Sequence, residues 1–173
     1  RTGACGDGAN RGGFGLRREL RVLDETAMLS VLSEKNVIPP YGVAGGSNGA
    51  ANRFVVERDG KVIQPSDVPG KVSGFALGTG DIVREETAGG GGFGDPLTRD
   101  PALVADDVDL EYLTAGQAEA RYGVVFSAGG AVDAAATSAK REALAGARES
   151  VTLEMANEDD IDGPRRRIAV PAS

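Results

Sequence analysis

The sequence contains no histidine and a single cysteine, Cys5. Without an imidazole, this chain cannot by itself complete a Ser-His-Asp or Cys-His catalytic system, and it cannot build a histidine-based metal site. One cysteine cannot form an intrachain disulfide, which is typical of a reducing compartment, and we therefore expect a cytoplasmic location. Because no histidine is available to activate its thiol, Cys5 is interpreted as a small loop residue and not as a nucleophile.

Long apolar runs and a basic surface are also missing. No stretch approaches the ~18 consecutive apolar residues of a bilayer-spanning helix, and the polar segment 1–15 does not resemble a signal peptide. The formal net charge is −7, and an acidic surface repels the phosphates of nucleic acid. We therefore expect neither a membrane nor a nucleic acid as a partner. The arginine cluster 165–167 is interpreted as part of a solvated polar tail.

Glycine, in contrast, is abundant, with 26 of the 173 residues, or about twice the average usage. The run Gly89–Gly92 together with Gly94 formally contains the spacing G-x-G-x-x-G. A dinucleotide site needs a helix directly after this loop, whereas Asp95-Pro96 turns the chain away, so we do not predict one. Gly70-Lys71 is followed by valine and does not form a Walker A phosphate loop. The tetraglycine run therefore predicts either a close backbone crossing or a contact with a ligand.

The region from 20 to 86 predicts antiparallel β structure. Short apolar or β-branched runs between turn residues predict strands at 20–23, 27–32, 53–58, 61–63, 75–77 and 81–86. Asp59-Gly60 predicts a type I′ hairpin, and Gly78–Gly80 predicts a second connection between paired strands, so that the order is meander-like. The segment 39–49 contains two prolines and four glycines, and we expect a long structured loop there.

Helices are predicted after residue 100, at three places: from Asp100-Pro101 to about Val108, from the capping box Thr114/Gln117 to Gly123, and over the alanine-rich segment 135–149. A short strand is predicted at 124–126. The expected fold class is α+β, with glycine-rich antiparallel strands followed by short helices. Among the carboxylates, Asp106 and Asp107 are interpreted as a solvated helix face, and Asp81 as a turn residue.

Several segments also match a known pattern in order and spacing. Their letters are GGFGLRRE from Gly12, PPYGVAGG from Pro39 with NGA from Asn48, GDIV from Gly80, TAGGGGFGDP from Thr87 with RDP from Arg99 and VADDV from Val104, and AEARYGVV from Ala118. Over about residues 1–126 they resemble the hydantoinase B/oxoprolinase family, with far more specificity than one glycine motif carries. Residues 108–112 depart from the family, which usually has a glycine there, and the part beyond Ser127 matches nothing.

The resemblance implies a subunit of a two-component enzyme. The family includes N-methylhydantoinase, 5-oxoprolinase and caprolactamase, and the related acetone and acetophenone carboxylases. In these enzymes a hydantoinase A-like partner binds ATP and Mg and phosphorylates the substrate oxygen, and the hydantoinase B-like subunit completes the hydrolysis or carboxylation. A metal, in the members that carry one, belongs to an earlier part of the B-like subunit. No metal and no other cofactor is therefore expected in this chain.

We thus expect the C-terminal portion of a hydantoinase B-like subunit, as a fragment or a split subunit, which begins without methionine and is much shorter than the family's subunits. Its partners would be the rest of that subunit and a hydantoinase A-like ATPase, in a hetero-oligomer. The expected activity is ATP-dependent hydrolysis of cyclic amides, with no catalysis by this chain alone. A ketone carboxylase of the acetone or acetophenone type, or a non-catalytic structural subunit, are the alternatives.

The resemblance leaves the catalytic residues unassigned. The expected division of the chain is a hydantoinase B-like region at 1–126 and a helical, polar tail at 127–173. The candidate loop for contact with a substrate or a neighbouring subunit comprises Gly45, Gly46, Asn48, Gly89, Gly90, Gly91, Gly92, Gly94 and Asp95.

Overall fold

The computed structural model describes residues 1–148 and the strand residues 154–158 and 165–169. The chain divides into two compact units, Arg1–Arg141 and Glu142–Ser173. The first unit contains two antiparallel sheets, short helices and a long glycine-rich part that is neither helix nor strand. This mixture confirms the α+β fold predicted from the sequence.

Six strands lie in the first half of the chain: β1 (Arg17–Arg21), β2 (Ala27–Leu32), β3 (Arg53–Arg58), β4 (Lys61–Ile63), β5 (Lys71–Leu77) and β6 (Ile82–Glu86). The larger sheet has the order β1-β6-β3-β4, and the smaller sheet pairs β2 with β5. Val56 of β3, Leu77 of β5 and Val83 of β6 are buried together. The two sheets therefore share one small hydrophobic core.

The local strand predictions hold better than the predicted pairing. The bounds of β2, β3 and β4 agree with the sequence analysis, and the turn between β3 and β4 has positive φ at Asp59 (51°) and Gly60 (72°), as a type I′ hairpin requires. The meander-like order is wrong, because β1 pairs with β6 and not with β2. The second predicted connection is also wrong, since β5 and β6 belong to different sheets.

Asp81 explains why the chain leaves one sheet for the other. Its backbone N–H donates to the Gly78 carbonyl, as in a turn, and its carboxylate accepts from the Gly78 amide (2.9 Å) and from Arg58 (2.6 Å to Oδ2). The Arg58 hydrogen bond, followed by the Gly78 amide, lowers the pKa of Asp81 to about 2. The turn interpretation is confirmed, but this carboxylate is also buried and directs the chain from β5 into β6.

The helical part begins with the 3₁₀ turn η1 (Pro96–Thr98), followed by the helices α1 (Pro101–Asp109), α2 (Ala115–Tyr122) and α3 (Ala134–Gly146). The predicted caps are present: Asp100 accepts from the Ala102 amide, Thr114 and Gln117 form the capping box, and Gly123 is left-handed with φ 64°. Val104, Leu113, Ala118, Tyr122 and Val124 form the core of this part. None of the described helices is long and apolar enough to cross a membrane.

The strand predicted at 124–126 is wrong. Phe126 makes a single antiparallel bridge to Val132, and the Val125 amide donates to the Thr137 hydroxyl of α3 (3.0 Å) instead of to a neighbouring strand. Further along the chain, β7 (Glu154–Glu158) pairs antiparallel with β8 (Arg165–Ala169). The arginine cluster 165–167 thus lies in a strand. The structure does not describe its side chains, so their solvation stays a prediction.

Candidate functional site

Three glycine-rich segments, residues 4–15, 40–50 and 87–94, pack directly against each other, and we call them the glycine bundle. Their backbones are joined by hydrogen bonds between segments, for example from the Gly6 amide to the Gly90 carbonyl (2.8 Å) and from the Gly92 amide to the Ser47 carbonyl (2.9 Å). Residues 87–92 lie in the middle and bond to both other segments. A part of the chain without strands or helices is therefore extensively hydrogen-bonded.

Glycine is required in the bundle because the backbones leave no space for a side chain. A Cβ added to Gly89 or Gly92 would lie less than 3.0 Å from backbone atoms of Ala4 or Asp7. The same is true of Gly46 and Gly49 against the Gly92 and Gly89 carbonyls. These contacts recur every three residues, which is the period of a polyproline II-type helix. The close backbone crossing anticipated for the tetraglycine run is thus what the structure contains.

One end of the bundle, which we call the tip, consists of residues 43–46 and 93–95. The Gly46 amide donates to the Val43 carbonyl (3.0 Å) around a turn in which Ala44 (φ 51°) and Gly45 (φ 94°) are both left-handed. Left-handed φ is unfavourable for alanine, so this turn is held by its neighbours. The Gly94 amide donates to the Val43 carbonyl (2.9 Å) and fastens the second segment to the first.

The side chains at the tip are of two kinds. Val43 and Phe93 are about half exposed, at 47% and 56%. Asp95 begins η1, where its carboxylate accepts from the Leu97 amide (2.9 Å). An added Cβ on Gly45 would meet Asp95 at 3.6 Å, an ordinary van der Waals distance. The tip therefore combines two exposed apolar side chains, a backbone turn and a carboxylate, and a ligand or a neighbouring subunit could contact all three.

Two carboxylates fasten the bundle to the helices. Asp7, within the bundle, accepts from the Tyr122 hydroxyl at the end of α2 (2.8 Å) and lies 3.7 Å from Arg121. Burial, followed by the nearby Asp7 charge and hydrogen bond, raises the pKa of Tyr122. The phenol consequently stays protonated and keeps donating to Asp7.

Asp107 of α1 is the second link, and its interpretation as a solvated residue is wrong. It is buried, and it accepts from Arg11 of the bundle (3.1 Å to both oxygens) and from Arg99 (2.9 Å). Asp107 lies three positions after the fully buried Val104, on the helix face that packs inward. Two guanidinium groups offset the cost of burying this carboxylate. Asp106, one position earlier, is exposed as predicted.

Cys5 lies half-buried in the bundle. Burial is the largest cause that raises the pKa of its thiol, against the lowering effect of Arg11. A raised pKa keeps the thiol protonated at neutral pH, which agrees with its interpretation as a non-nucleophilic residue. Within the part of the chain that the structure describes, no group of three or more Cys, Asp or Glu residues is arranged to hold a metal ion.

The structure brings together the residues of the predicted candidate loop, which come from two distant segments. Gly45, Gly46, Gly94 and Asp95 meet at the tip, Gly89–Gly92 lie inside the bundle, and the Asn48 side chain accepts from the Gly42 amide (3.0 Å). Whether this loop contacts a substrate or a subunit stays a prediction. Sequence reasoning missed the links through Asp7, Arg11, Arg99, Asp107 and Tyr122.

A signal for the bundle was nevertheless present in the sequence. Glycines spaced by three residues occur in each of the three segments, as Gly12/Gly15, Gly46/Gly49 and Gly89/Gly92. This spacing is that of glycine-rich helices of the polyproline II type. The polar links carry no such signal, because an Asp or Arg beside a helix is far more often solvated than buried.

Comparisons with known proteins identify relatives over most of this chain. A family model described as hydantoinase B/oxoprolinase matches residues 1–96. An uncharacterized protein of Methanocaldococcus jannaschii is 40% identical over 124 residues, which are 72% of this chain and 21% of that protein. The caprolactamase subunit beta of Pseudomonas jessenii is 34% identical over 148 residues, which are 82% of this chain and 25% of that subunit.

Solved structures share the fold. The crystal structure of the ATP-dependent caprolactamase from Pseudomonas jessenii superposes with a TM-score of 0.66 at 33% identity, over 82% of this chain and 24% of that one. Nucleotide-free acetone carboxylase gives a TM-score of 0.63 at 24% identity, over 84% and 24%, which shows a common fold. The chain spans about a fifth to a quarter of the curated relatives. Since the family model covers more than half of the sequence, this chain belongs to the hydantoinase B/oxoprolinase family.

Proposed function

We propose that this chain is part of a hydantoinase B-type subunit in an enzyme that hydrolyses cyclic amides with ATP, together with a hydantoinase A-like partner that binds the nucleotide. Family membership supports the general assignment. The likeness to a caprolactamase subunit over most of the chain favours amide hydrolysis. The observation that carries the proposal is the glycine bundle, in which backbone hydrogen bonds and close backbone packing join the three glycine-rich segments, all of them within the part that the family model matches.

The bundle also bears on where ATP binds. A phosphate loop presents free backbone amides to the phosphates. In the tetraglycine run, the amides of Gly89, Gly90 and Gly92 already donate to the carbonyls of Ala50, Gly13 and Ser47. These amides are committed to the bundle, and we therefore assign ATP and Mg to the partner subunit.

In ATP-dependent amide hydrolysis, the role we propose for this chain is to shield the reaction intermediate. An amide carbon is a poor electrophile, and transfer of the γ-phosphoryl group of ATP to the amide oxygen makes that carbon easier for water to attack. Overall, one water opens the ring to the amino acid and a second is consumed as ATP becomes ADP and phosphate. The phosphorylated intermediate has to be shielded from water that attacks its phosphorus atom, because that reaction releases phosphate and returns the cyclic amide unchanged. A bundle without space between its segments is suited to form a water-tight wall beside it, with the tip facing the substrate or the neighbouring subunit.

The alternative activities are separable by assay. A tagged form of this protein, purified with its associated polypeptides, is expected to release ADP in the presence of caprolactam or hydantoin and to yield the ring-opened product. ADP release that depends on acetone and bicarbonate would favour the carboxylase. An assembly that turns over neither kind of substrate would favour a structural subunit. Turnover of ATP and lactam by the isolated 173-residue chain would contradict the assignment of ATP to a partner.

The role of the tip is tested by Phe93→Ala in the same assembly. Phe93 is half exposed, so the substitution should leave the bundle intact. We expect less product formed per ADP released, because water that reaches the phosphorus atom of the intermediate returns the cyclic amide and wastes the ATP. Leu110→Ala removes a similarly exposed side chain in the helical part and serves as the control. An unchanged ratio of product to ADP in both variants would exclude the tip from the active site.

A further inference from the structure

Arg99 is a side chain that joins the helical part to the bundle close to the tip. It ends η1, the 3₁₀ turn that begins at Asp95 of the tip, and its side chain is only 8% exposed. One nitrogen of its guanidinium, Nη2, donates to Asp107 of α1 (2.9 Å), and the other, Nη1, donates to the Ala9 carbonyl of the bundle (3.4 Å). A single buried side chain therefore connects α1 to the first glycine-rich segment.

Ala9 lies directly against the tip. Its amide donates to the Gly94 carbonyl (3.2 Å), and a Cβ added to Gly94 would approach the Ala9 Cβ to 3.0 Å. The next residue, Asn10, exchanges two backbone hydrogen bonds with Phe93 (2.9 and 3.0 Å). A shift of the Ala9 carbonyl would thus be transmitted to the backbone that carries the half-exposed Phe93 side chain.

The backbone of Arg99 fixes the carboxylate at the tip. Its amide donates to the Pro96 carbonyl at the end of η1 (3.1 Å), and its carbonyl accepts from Arg141 of α3 (2.6 Å). Because η1 contains only three residues and Asp95 caps its beginning, Asp95 has little freedom to move while Arg99 is held from α1 and α3. The helices therefore set the positions of both Phe93 and Asp95, and they do so through one arginine.

We infer that Arg99 is a positioning residue for the tip: its guanidinium, anchored by Asp107, holds Phe93 and Asp95 where they shield the phosphorylated intermediate from water. Arginine suits this task because its planar guanidinium donates in fixed directions to two acceptors, whereas the ammonium group of lysine is a single point of charge. A misplacement of about 1 Å can cost on the order of 100-fold in an enzymatic rate. The inference rests on the proposed function, because it requires the tip to lie beside the intermediate.

Arg99→Lys separates positioning from stability. Lysine can keep the ion pair with Asp107, but it loses the hydrogen bond to the Ala9 carbonyl. The Nε of Arg99 is buried and has no hydrogen-bond partner among the described residues, so lysine gives up no hydrogen bond there. In the native assembly, with ATP and the lactam substrate, we expect the product formed per ADP released to fall by about twofold or more. A purely structural role would change the amount of assembly recovered and not this ratio.

The matched control is Arg58→Lys. Arg58 joins the buried carboxylate of Asp81 (2.6 Å) to the Ala76 carbonyl (2.9 Å), which is the same kind of link, but it lies in the sheets instead of beside the tip. This control variant should keep the ratio of product to ADP of the parent protein. Equal ratios in Arg99→Lys and Arg58→Lys would overturn the inference.

Phe93→Ala, measured in parallel, separates a failure of this inference from a failure of the proposed function. A lowered ratio in Phe93→Ala together with the parent ratio in Arg99→Lys would overturn the positioning role and leave the proposed role of the tip intact. Parent ratios in both variants would overturn both.

Asp107→Asn is the second variant if Arg99→Lys is not recovered in the assembly. It removes the carboxylate that anchors the guanidinium and keeps the volume of the side chain. Its ratio of product to ADP should fall as well, and the parent ratio in this variant would overturn the inference.

Discussion

The glycine bundle and the helical part lie side by side in the first unit, yet they are stabilised in opposite ways. In the bundle, backbone packs on backbone, and even one methyl group at Gly89 or Gly92 has no space. In the helical part, the core is formed by fully buried side chains such as Val104, Tyr122 and Val124. The first region should therefore be damaged most by adding atoms, and the second by removing them.

The largest expected effect comes from Gly92→Ala. Its Cβ would overlap backbone atoms of Asp7 and Gly6, and these atoms cannot move without disturbing the whole bundle. We expect the free energy of unfolding to fall by about 3 kcal/mol or more. The matched control is Gly13→Ala, because an added Cβ there meets nothing within 4 Å. Urea denaturation of both variants makes the measurement, and equal losses would show that tight backbone packing does not stabilise this region.

A somewhat smaller effect is expected where the two regions meet. Asp107→Asn leaves Arg11 and Arg99 without a carboxylate partner, and the loss should be about 2–3 kcal/mol because one of these guanidiniums is buried. Asp106→Asn, on the exposed side of the same helix, should change stability by less than about 0.5 kcal/mol. Thermal unfolding of the two variants compares them, and indistinguishable melting temperatures would contradict the role given to the buried ion pair.

The contribution of the sheets to stability should depend on pH, because it includes the carboxylate of Asp81. The segments of the bundle are joined by uncharged backbone groups, and these hydrogen bonds should not depend on pH. The folded-state pKa of Asp81 is about 2, below its usual value of 3.8. A lowered folded-state pKa contributes stability above pH 4 that is lost as the pH falls toward 2. Asp81→Asn should therefore make the free energy of unfolding less dependent on pH between 4 and 2. A pH titration of stability with the same slope in the variant and the parent protein would refute this assignment.

The smallest effect on the free energy of unfolding is expected from Glu111→Gly, and this substitution should increase stability. Glu111 lies between α1 and α2 with φ 59°, in the left-handed region that favours glycine. Glycine adopts this backbone without steric cost, so we expect the protein to be more stable by about 0.5–1 kcal/mol. Glu111→Ala keeps the Cβ and should give no gain. If both variants were equally stable, the backbone strain at this position would be negligible.

The predictions from sequence succeeded where the cause is local. The hairpin turn at Asp59-Gly60 and the capping box of Thr114 with Gln117 each depend on residues within a few positions of one another. Pairing failed because the partner of a strand lies far away in sequence: β1 and β6 are separated by about sixty residues. Nothing near Arg17 indicates that distance.

In the candidate site, too, some features were predicted from the sequence and others were not. Its glycines were recognised from composition and family resemblance, and their spacing of three residues corresponds to the bundle's geometry. Asp107 was misjudged because a run of two aspartates on a short helix is typical of a solvated face, and only the fold brings Arg11 and Arg99 to it. Burial of a charge depends on partners that become adjacent only after folding.

Amide hydrogen exchange tests the central claim most directly, because the bundle is held by hydrogen bonds although it contains no helix or strand. We predict that the amides of Gly6, Gly90 and Gly92 exchange as slowly as those of the central strand β6, since each donates to a carbonyl of another segment. Rapid exchange of these glycines, at the rate of an unstructured loop, would contradict the backbone-packed bundle and the proposals built on it.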